Sequence, residues 1–157
     1  MRLDKLTTKF QEALAEAQSL ALANDHAYIE PEHLLVAMLR QEDGPTALLQ
    51  RSGVNVPGLL APAESAMHRR PQVQGQEQVQ VGRELATLLQ AAEKEGLKRG
   101  DQFIASELFL LALAESKFDI GRIARENGLT RKSFEAAVDA VRRGRNVESA
   151  GGEGERG

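Results

Sequence analysis

Cysteine and tryptophan are absent from the chain, and the other aromatics are thin, with one Tyr and five Phe in 157 residues. Without cysteine there is no disulfide, no thiolate zinc site and no thiol nucleophile. With so few aromatics, the interior has to be built from Leu, Ala, Val and Ile, a set that leans towards helix rather than strand. No stretch approaches the ~18 consecutive apolar residues that a membrane span needs, and MRLDKLTTKFQEAL lacks the apolar run of a secretory signal. The expectation is a cytoplasmic protein with no membrane partner. Neither sign of charge dominates: 20 Lys and Arg face 23 Asp and Glu, a net of −3. Residues 1–71 carry seven basic and nine acidic side chains and residues 72–144 eleven of each. Neither half is a polyanion-binding surface, so no nucleic-acid partner is expected. The phosphate-cradling loops GxxxxGK(S/T) and GxGxxG are also missing. The three histidines are scattered, and His33, with no second His four residues on, reads as a packed or capping residue rather than a metal ligand. The chain is expected to be non-catalytic, with no cofactor and no metal of its own.

What is present is helical periodicity. Leu3, Leu6, Phe10, Leu14, Ala17 and Ala21 recur at steps of three and four, the spacing of one helical stripe. Asp4 and Thr7 are both good N-caps for it, and Thr8 with Gln11 fits a capping box. Asn24-Asp25-His26 ends this helix, and Glu30-Pro31 opens a second with proline in the first turn, where its missing donor costs nothing. A short third helix ends at Ser52-Gly53. A fourth covers roughly 57–70, with Pro62 either kinking it or delaying its start to near Ala61, since an interior proline costs about 3 kcal/mol. PQVQGQEQVQVG, residues 71–82, reads as a linker.

After that the pattern returns. A shift of 75 residues without a gap sets Phe10 on Leu85, Leu14 on Leu89, Ile29 on Ile104, Glu32 on Glu107, Gly53 on Gly128 and Leu59 on Phe134. Such a register implies duplication. The expected fold is all-α, eight helices in two tandem four-helix repeats. Each repeat leaves an apolar face open, and the two close one core about a pseudo-twofold axis. The boundaries read as one domain over 1–144, with repeat one at 3–70, the linker at 71–82 and repeat two at 83–144. The tail RNVESAGGEGERG, residues 145–157, reads as a flexible linker. The basic runs at Arg69-Arg70 and Arg142-Arg143 read as solvated charges complementing helix C-termini. One rival reading sees a helix-turn-helix in Ile123–Arg145. Glu135 and Asp139 beside Arg131 and Lys132, and the recurrence of the same turn near Gln50, speak against it.

Taken together, MRLDKLTTKFQEALAEAQSLAL, IEPEHLL, RSGV, KRGDQFIASELFLLAL and the Gly-rich tail resemble, over the whole chain, the Clp N-terminal domain of the Hsp100 disaggregase chaperones of the ClpB type. The resemblance implies an all-helical double repeat seated flexibly on a homohexameric ATPase ring. It would bind unfolded or aggregated polypeptides through an exposed apolar groove, with ATP and Mg held in ATPase modules outside this chain. The isolated domain would be a monomer. It implies roles in chaperone activity for Thr7, Asp101 and Glu107, and a groove near the fifth and sixth helices that includes Leu108 and Phe109. Ala91 and Glu95 stand, small and charged, where relatives carry leucines, a departure from the family pattern that leaves the depth and hydrophobicity of that groove open. Bland roles stand beside these: Thr7 as a helix cap, Asp101 as a loop fixative, Glu107 as a helix-dipole charge. The related ClpC-type domains use glutamates at the positions of Glu32 and Glu107 to engage phosphorylated arginine, which is the alternative reading.

Overall fold

The computed structural model describes residues 2–75 and 77–153. The first helix, α1 (Thr8–Ala23), begins where Thr7 caps it: the hydroxyl oxygen accepts the Phe10 amide at 3.2 Å. Of the capping residues open in the sequence, this one is used, because Leu3–Lys5 is taken up in a single 3₁₀ turn. Phe10, Ala13, Leu14, Ala17 and Ala21 form its buried stripe. A two-residue strand, β1 (Tyr28–Ile29), leads into α2 (Pro31–Arg40), followed by α3 (Thr46–Arg51) and α4 (Val56–His68). Then β2 (Gln80–Val81) precedes α5 (Arg83–Arg99), α6 (Ser106–Ala114), α7 (Asp119–Glu126) and α8 (Arg131–Arg142). Among the described residues the fold is therefore eight α-helices with one minimal parallel strand pair, the all-helical architecture expected.

The second helix of each repeat is the axis of the core. Residues 31–39 of α2 and 106–114 of α6 are all buried, so these helices are apolar all round and surrounded on every side. Phe10 of α1 meets Phe109 of α6 edge to face, ring centroids 6.4 Å apart, which joins the two repeats through their largest side chains.

The pseudo-twofold shows in the hydrogen bonds. Ile29 pairs with Val81 in the strand pair, and Leu6 bridges Ile104 in the same parallel sense. Leu6 and Val81 lie 75 residues apart, as do Ile29 and Ile104, so each repeat lends its entry strand to the other. The amides that follow obey the same rule: Thr7 N–H donates to Ile104 O and Gly82 N–H to Ile29 O, each at 3.0 Å. Helices exchange likewise, α3 packing on α8 and α7 on α4. Gly53 (φ +96°) and Gly128 (φ +100°) meet backbone to backbone, and a Cβ on Gly128 would sit 3.1 Å from Gly53 O.

Three local expectations need correcting. Part of the expected linker 71–82 is built into the fold: Val73 N–H donates to Asp25 O at 2.7 Å, and Gln80–Val81 forms β2, because the pseudo-symmetry needs an entry strand here as at Leu6. The expected flexible tail is packed over its described part. Val147 is 4% exposed, and 146–153 lies against the start of α1 and the loop before α6; residues 154–157 fall outside the described residues. Pro62 does not delay the start of α4, which is helical from Val56 to His68 with the proline inside it, started by the Asn55 side chain accepting Gly58 N–H at 3.1 Å. Leu59, Ala63 and Met67 anchor it on both sides of the proline.

Candidate functional site

Each repeat places a glutamate in the first turn of its buried helix and closes it with an arginine from the end of its fourth helix. In repeat two, Arg142 reaches Glu107 Oε2 through Nε (3.1 Å) and Nη2 (3.0 Å), and Nη1 spans both Asp101 oxygens at 3.0 and 2.8 Å. Arg142 is 4% and Glu107 1% exposed, and the Asp101 side chain is fully covered. In repeat one, Arg70 forks onto Glu32 at 2.8 and 3.0 Å and also meets Glu84 (3.0 Å) and Glu30 (3.3 Å). The basic runs read as solvated helix-end charges are thus, at Arg70 and Arg142, the counter-ions of Glu32 and Glu107. Planar guanidinium suits this bidentate duty.

Beside the fifth and sixth helices, where an apolar groove was expected, lies a cleft of about 400 Å³ lined by Ala91, Leu108 and Ala112 together with Lys94, Glu95, Lys98, Glu115 and Arg131. Glu95 is not free to repel a ligand: Arg131 of α8 pairs with it and with Glu135 (2.9 Å) and Glu115 (3.1 Å). The result is a floor of small apolar groups inside a charged rim, in which Glu95 and Glu115 are both paired with Arg131 while Lys94 and Lys98 form no ion pair among the described residues. Leu97, 74% exposed on α5, is the most exposed large apolar side chain among the described residues.

Thr7, Asp101 and Glu107, to which the resemblance assigns roles, lie about one junction but not on an open face. Thr7 is fully buried: its hydroxyl caps α1 and donates to Glu153 Oε1 at 2.6 Å. Asp101 holds Arg142 and accepts the Val147 amide at 3.0 Å. Leu108 lines the cleft from a buried position. Phe109, expected in the groove, is instead sealed in the core against Phe10, since one turn of a helix apolar on all sides cannot put both neighbours on the same face. Glu32 is 6% exposed beneath Arg70. The sequence reading missed Arg70, Arg142, Arg131, Ser106 and Glu153. The one available signal was that the arginine at the end of each fourth helix recurs, as does the glutamate it holds.

Near Glu32 lies a buried histidine pair. Glu30 N–H donates to His33 Nδ1 at 2.8 Å, so His33 carries its proton on Nε2 and gives it to His26 Nδ1, also 2.8 Å away. Burial pushes the His33 pKa down to about 4, with His26 and Arg70 acting in the same direction; burial also lowers that of His26, helped by the charges of His68 and Arg70 and opposed by a hydrogen bond to the Arg70 backbone and by Asp25. Lowered pKa values mean the folded state prefers the neutral pair. Its contribution is complete above about pH 6.5 and is lost as pH falls towards 4, by about 3 kcal/mol at the acid end. Urea unfolding at pH 7.5, 6, 5 and 4.5 should show this decline, and His33→Gln should flatten it; identical pH profiles for the two chains would contradict the assignment. Among the described residues, no group of three or more His, Asp or Glu is placed to hold a metal ion, and no helix is long and apolar enough to cross a membrane.

The all-helical double repeat, two four-helix units closing one core, defines the class of protein. The Clp repeat (R) N-terminal domain family matches residues 5–127, and the chain belongs to it. It is similar to the chaperone protein ClpB of Vibrio cholerae, 41% identical over 155 residues, 98% of this chain but 18% of that protein's length. The fold is shared with the Hsp104 N-terminal domain from Candida albicans (TM-score 0.80, 19% identity, 94% of this chain and 98% of that one). It is shared too with a ClpV N-domain in complex with a VipB peptide (TM-score 0.73, 22% identity, 94% and 92%).

Proposed function

We propose that this domain is the client-engaging N-terminal module of an ATP-driven Hsp100 disaggregase and takes segments of unfolded or aggregated polypeptide in the α5–α6 cleft. The observation that carries this reading is the cleft: a floor of Ala91, Leu108 and Ala112 beside the paired charges Glu95 and Arg131, with the lysines Lys94 and Lys98 on its rim. A ClpV N-domain of the same fold is described in complex with a peptide, which supports peptide capture as the use of such a domain. The shallow floor makes single-site binding weak. Six copies on a hexameric ring whose modules bind ATP and Mg would convert weak sites into avidity. The domain itself would act as a monomer without cofactor.

Ala91 is exposed on α5, so changing it tests the cleft without touching the core. Ala91→Leu adds apolar surface and should tighten binding of a reduced, unfolded protein about three- to tenfold, while Ala91→Glu should weaken it by a similar factor. Titration by fluorescence anisotropy measures both, and equal affinities across the three chains would sink the assignment.

The phosphoarginine alternative meets a specific obstacle: the chain's own Arg70 and Arg142 already fill Glu32 and Glu107. The helix-turn-helix alternative fares no better, because Arg131, at the start of the supposed recognition helix, is committed to Glu95, Glu115 and Glu135.

A further inference from the structure

Residues 146–153 form a strap across the junction between the start of α1 and the start of α6, far along the chain from both. Two of its side chains do most of the holding. Val147 is the apolar anchor, 4% exposed. Its N–H donates to Asp101 Oδ1 at 3.0 Å, and its carbonyl accepts from the Gln102 and Phe103 amides at 2.8 and 3.1 Å. Ala150 O then accepts the Thr8 amide at 2.8 Å, and a turn closed by Gly152 N–H to Ser149 O (3.0 Å) brings the last described residue inward. There Glu153 Oε1 accepts from Thr7 Oγ1 at 2.6 Å and from the Ser106 amide at 3.0 Å. Ser106 is the first residue of α6, so its amide is among the donors a helix cannot satisfy internally, and it lies at the positive end of the helix dipole. A second feature marks the place as an acceptor site: the Ser106 hydroxyl is buried with no partner, and so is Glu153 Oε2. The carboxylate is held, but the pocket's hydrogen-bonding capacity is not used up.

We infer that this junction is a peptide-docking site, distinct from the α5–α6 cleft, for a segment bearing a small branched apolar residue followed six positions later by a carboxylate. The chain's own 146–153 is its resident occupant, displaceable by such a segment in trans. Most of the other contacts use main-chain atoms of the strap, so the site reads two side chains and tolerates the rest. The fit is good in geometry and imperfect in electrostatics. Burial raises the Glu153 pKa, Glu107 repels it, and Arg142, the nearest cation on Glu107, is shared with Asp101. An occupant held at such a cost is one that can leave. Release also frees eight residues of tether, adding roughly 26–29 Å of reach between this domain and whatever follows it.

The test uses the full chain. Val147→Asp with Glu153→Lys removes both anchors. Amide exchange should then rise at least tenfold at Thr8, Gln102, Phe103 and Ser106 while α2 and α6 stay protected. The released chain should bind a synthetic C-terminally amidated peptide of residues 145–153, and the unaltered chain should bind it at least tenfold more weakly, because its tethered strap competes at high effective concentration. The same peptide with Glu153→Ala should lose binding. Ala91→Glu in the released chain should leave peptide binding unchanged, which separates this site from the client cleft. Failure of the released chain to bind the peptide with α2 and α6 still protected would overturn the inference, as would equal binding by both chains. Glu153→Ala alone, in the full chain, is the milder variant: selective exposure of Ser106 and Thr8 supports the docking site, whereas unchanged exchange, or loss of protection everywhere at once, refutes it.

Discussion

Arg142→Ala lowers the unfolding free energy by about 3–5 kcal/mol, the cost of leaving buried carboxylates without their counter-ion. Asp101 and Glu107 both turn to this one guanidinium, and none of the three reaches water to any useful extent. With Arg142 removed, two negative charges share a dry site, and the carboxylate of Glu153 already feels Glu107 there. Arg142→Lys restores charge but not the fork that spans both partners, so its loss should fall between those of the parent and the alanine variant. The pseudo-symmetric Arg70→Ala should cost less, because the Arg70 side chain is 23% exposed against 4% for Arg142 and water replaces part of what is lost, although Glu32 beneath it is only 7% exposed. Urea unfolding at pH 7.5 ranks the variants. An Arg142→Ala chain within about 1 kcal/mol of its parent would show that the clasp is not desolvated as described.

Phe109→Ala is the second large effect, a destabilisation of about 3–5 kcal/mol from lost burial and the cavity left behind. Phe109 has no exposed surface and meets Phe10 edge to face, so the cavity opens at the seam between repeats, lined by helices that are themselves fully packed and slow to collapse into it. This outcome separates two roles. If Phe109 met clients directly, its loss would weaken binding and leave the unfolding midpoint nearly untouched. The expected result is the reverse: a much lower midpoint, with client affinity of the still-folded fraction close to that of the parent.

The duplication was legible because it is written in the order of residues. The gapless 75-residue shift from Phe10 to Leu85 and from Gly53 to Gly128 requires no knowledge of packing. The helix starts at Pro31 and near Ser106 were legible too, from proline in a first turn and from the matching position in the second copy. What was not legible is what joins residues distant in sequence. Arg142 lies 35 positions from Glu107 and 41 from Asp101, and nothing local distinguishes it from Arg143 next to it, which is exposed. SELFLLALA is apolar on every face, so periodicity could not say that Leu108 borders a cleft while Phe109 lies at the seam. The strap failed for the opposite reason: glycine and charge make 145–157 look like a linker, and the side chains that anchor its described part are only Val147 and Glu153, the rest being main-chain hydrogen bonds. Ala91 and Glu95 were legible as a small and a charged position beside the expected groove, and both line the cleft; the ion partner of Glu95 was not legible. The compensating Arg131 came from a helix 36 residues away.

Titrating the isotopically labelled domain with a short unfolded polypeptide and following its amide resonances is the most direct test of where clients bind. The account predicts saturable shifts confined to the cleft, at Ala91, Lys94, Glu95, Leu108 and Ala112, with Ala91→Glu suppressing them. Shifts centred elsewhere, on α1 and α2 or along the strap, with the cleft silent, would contradict it.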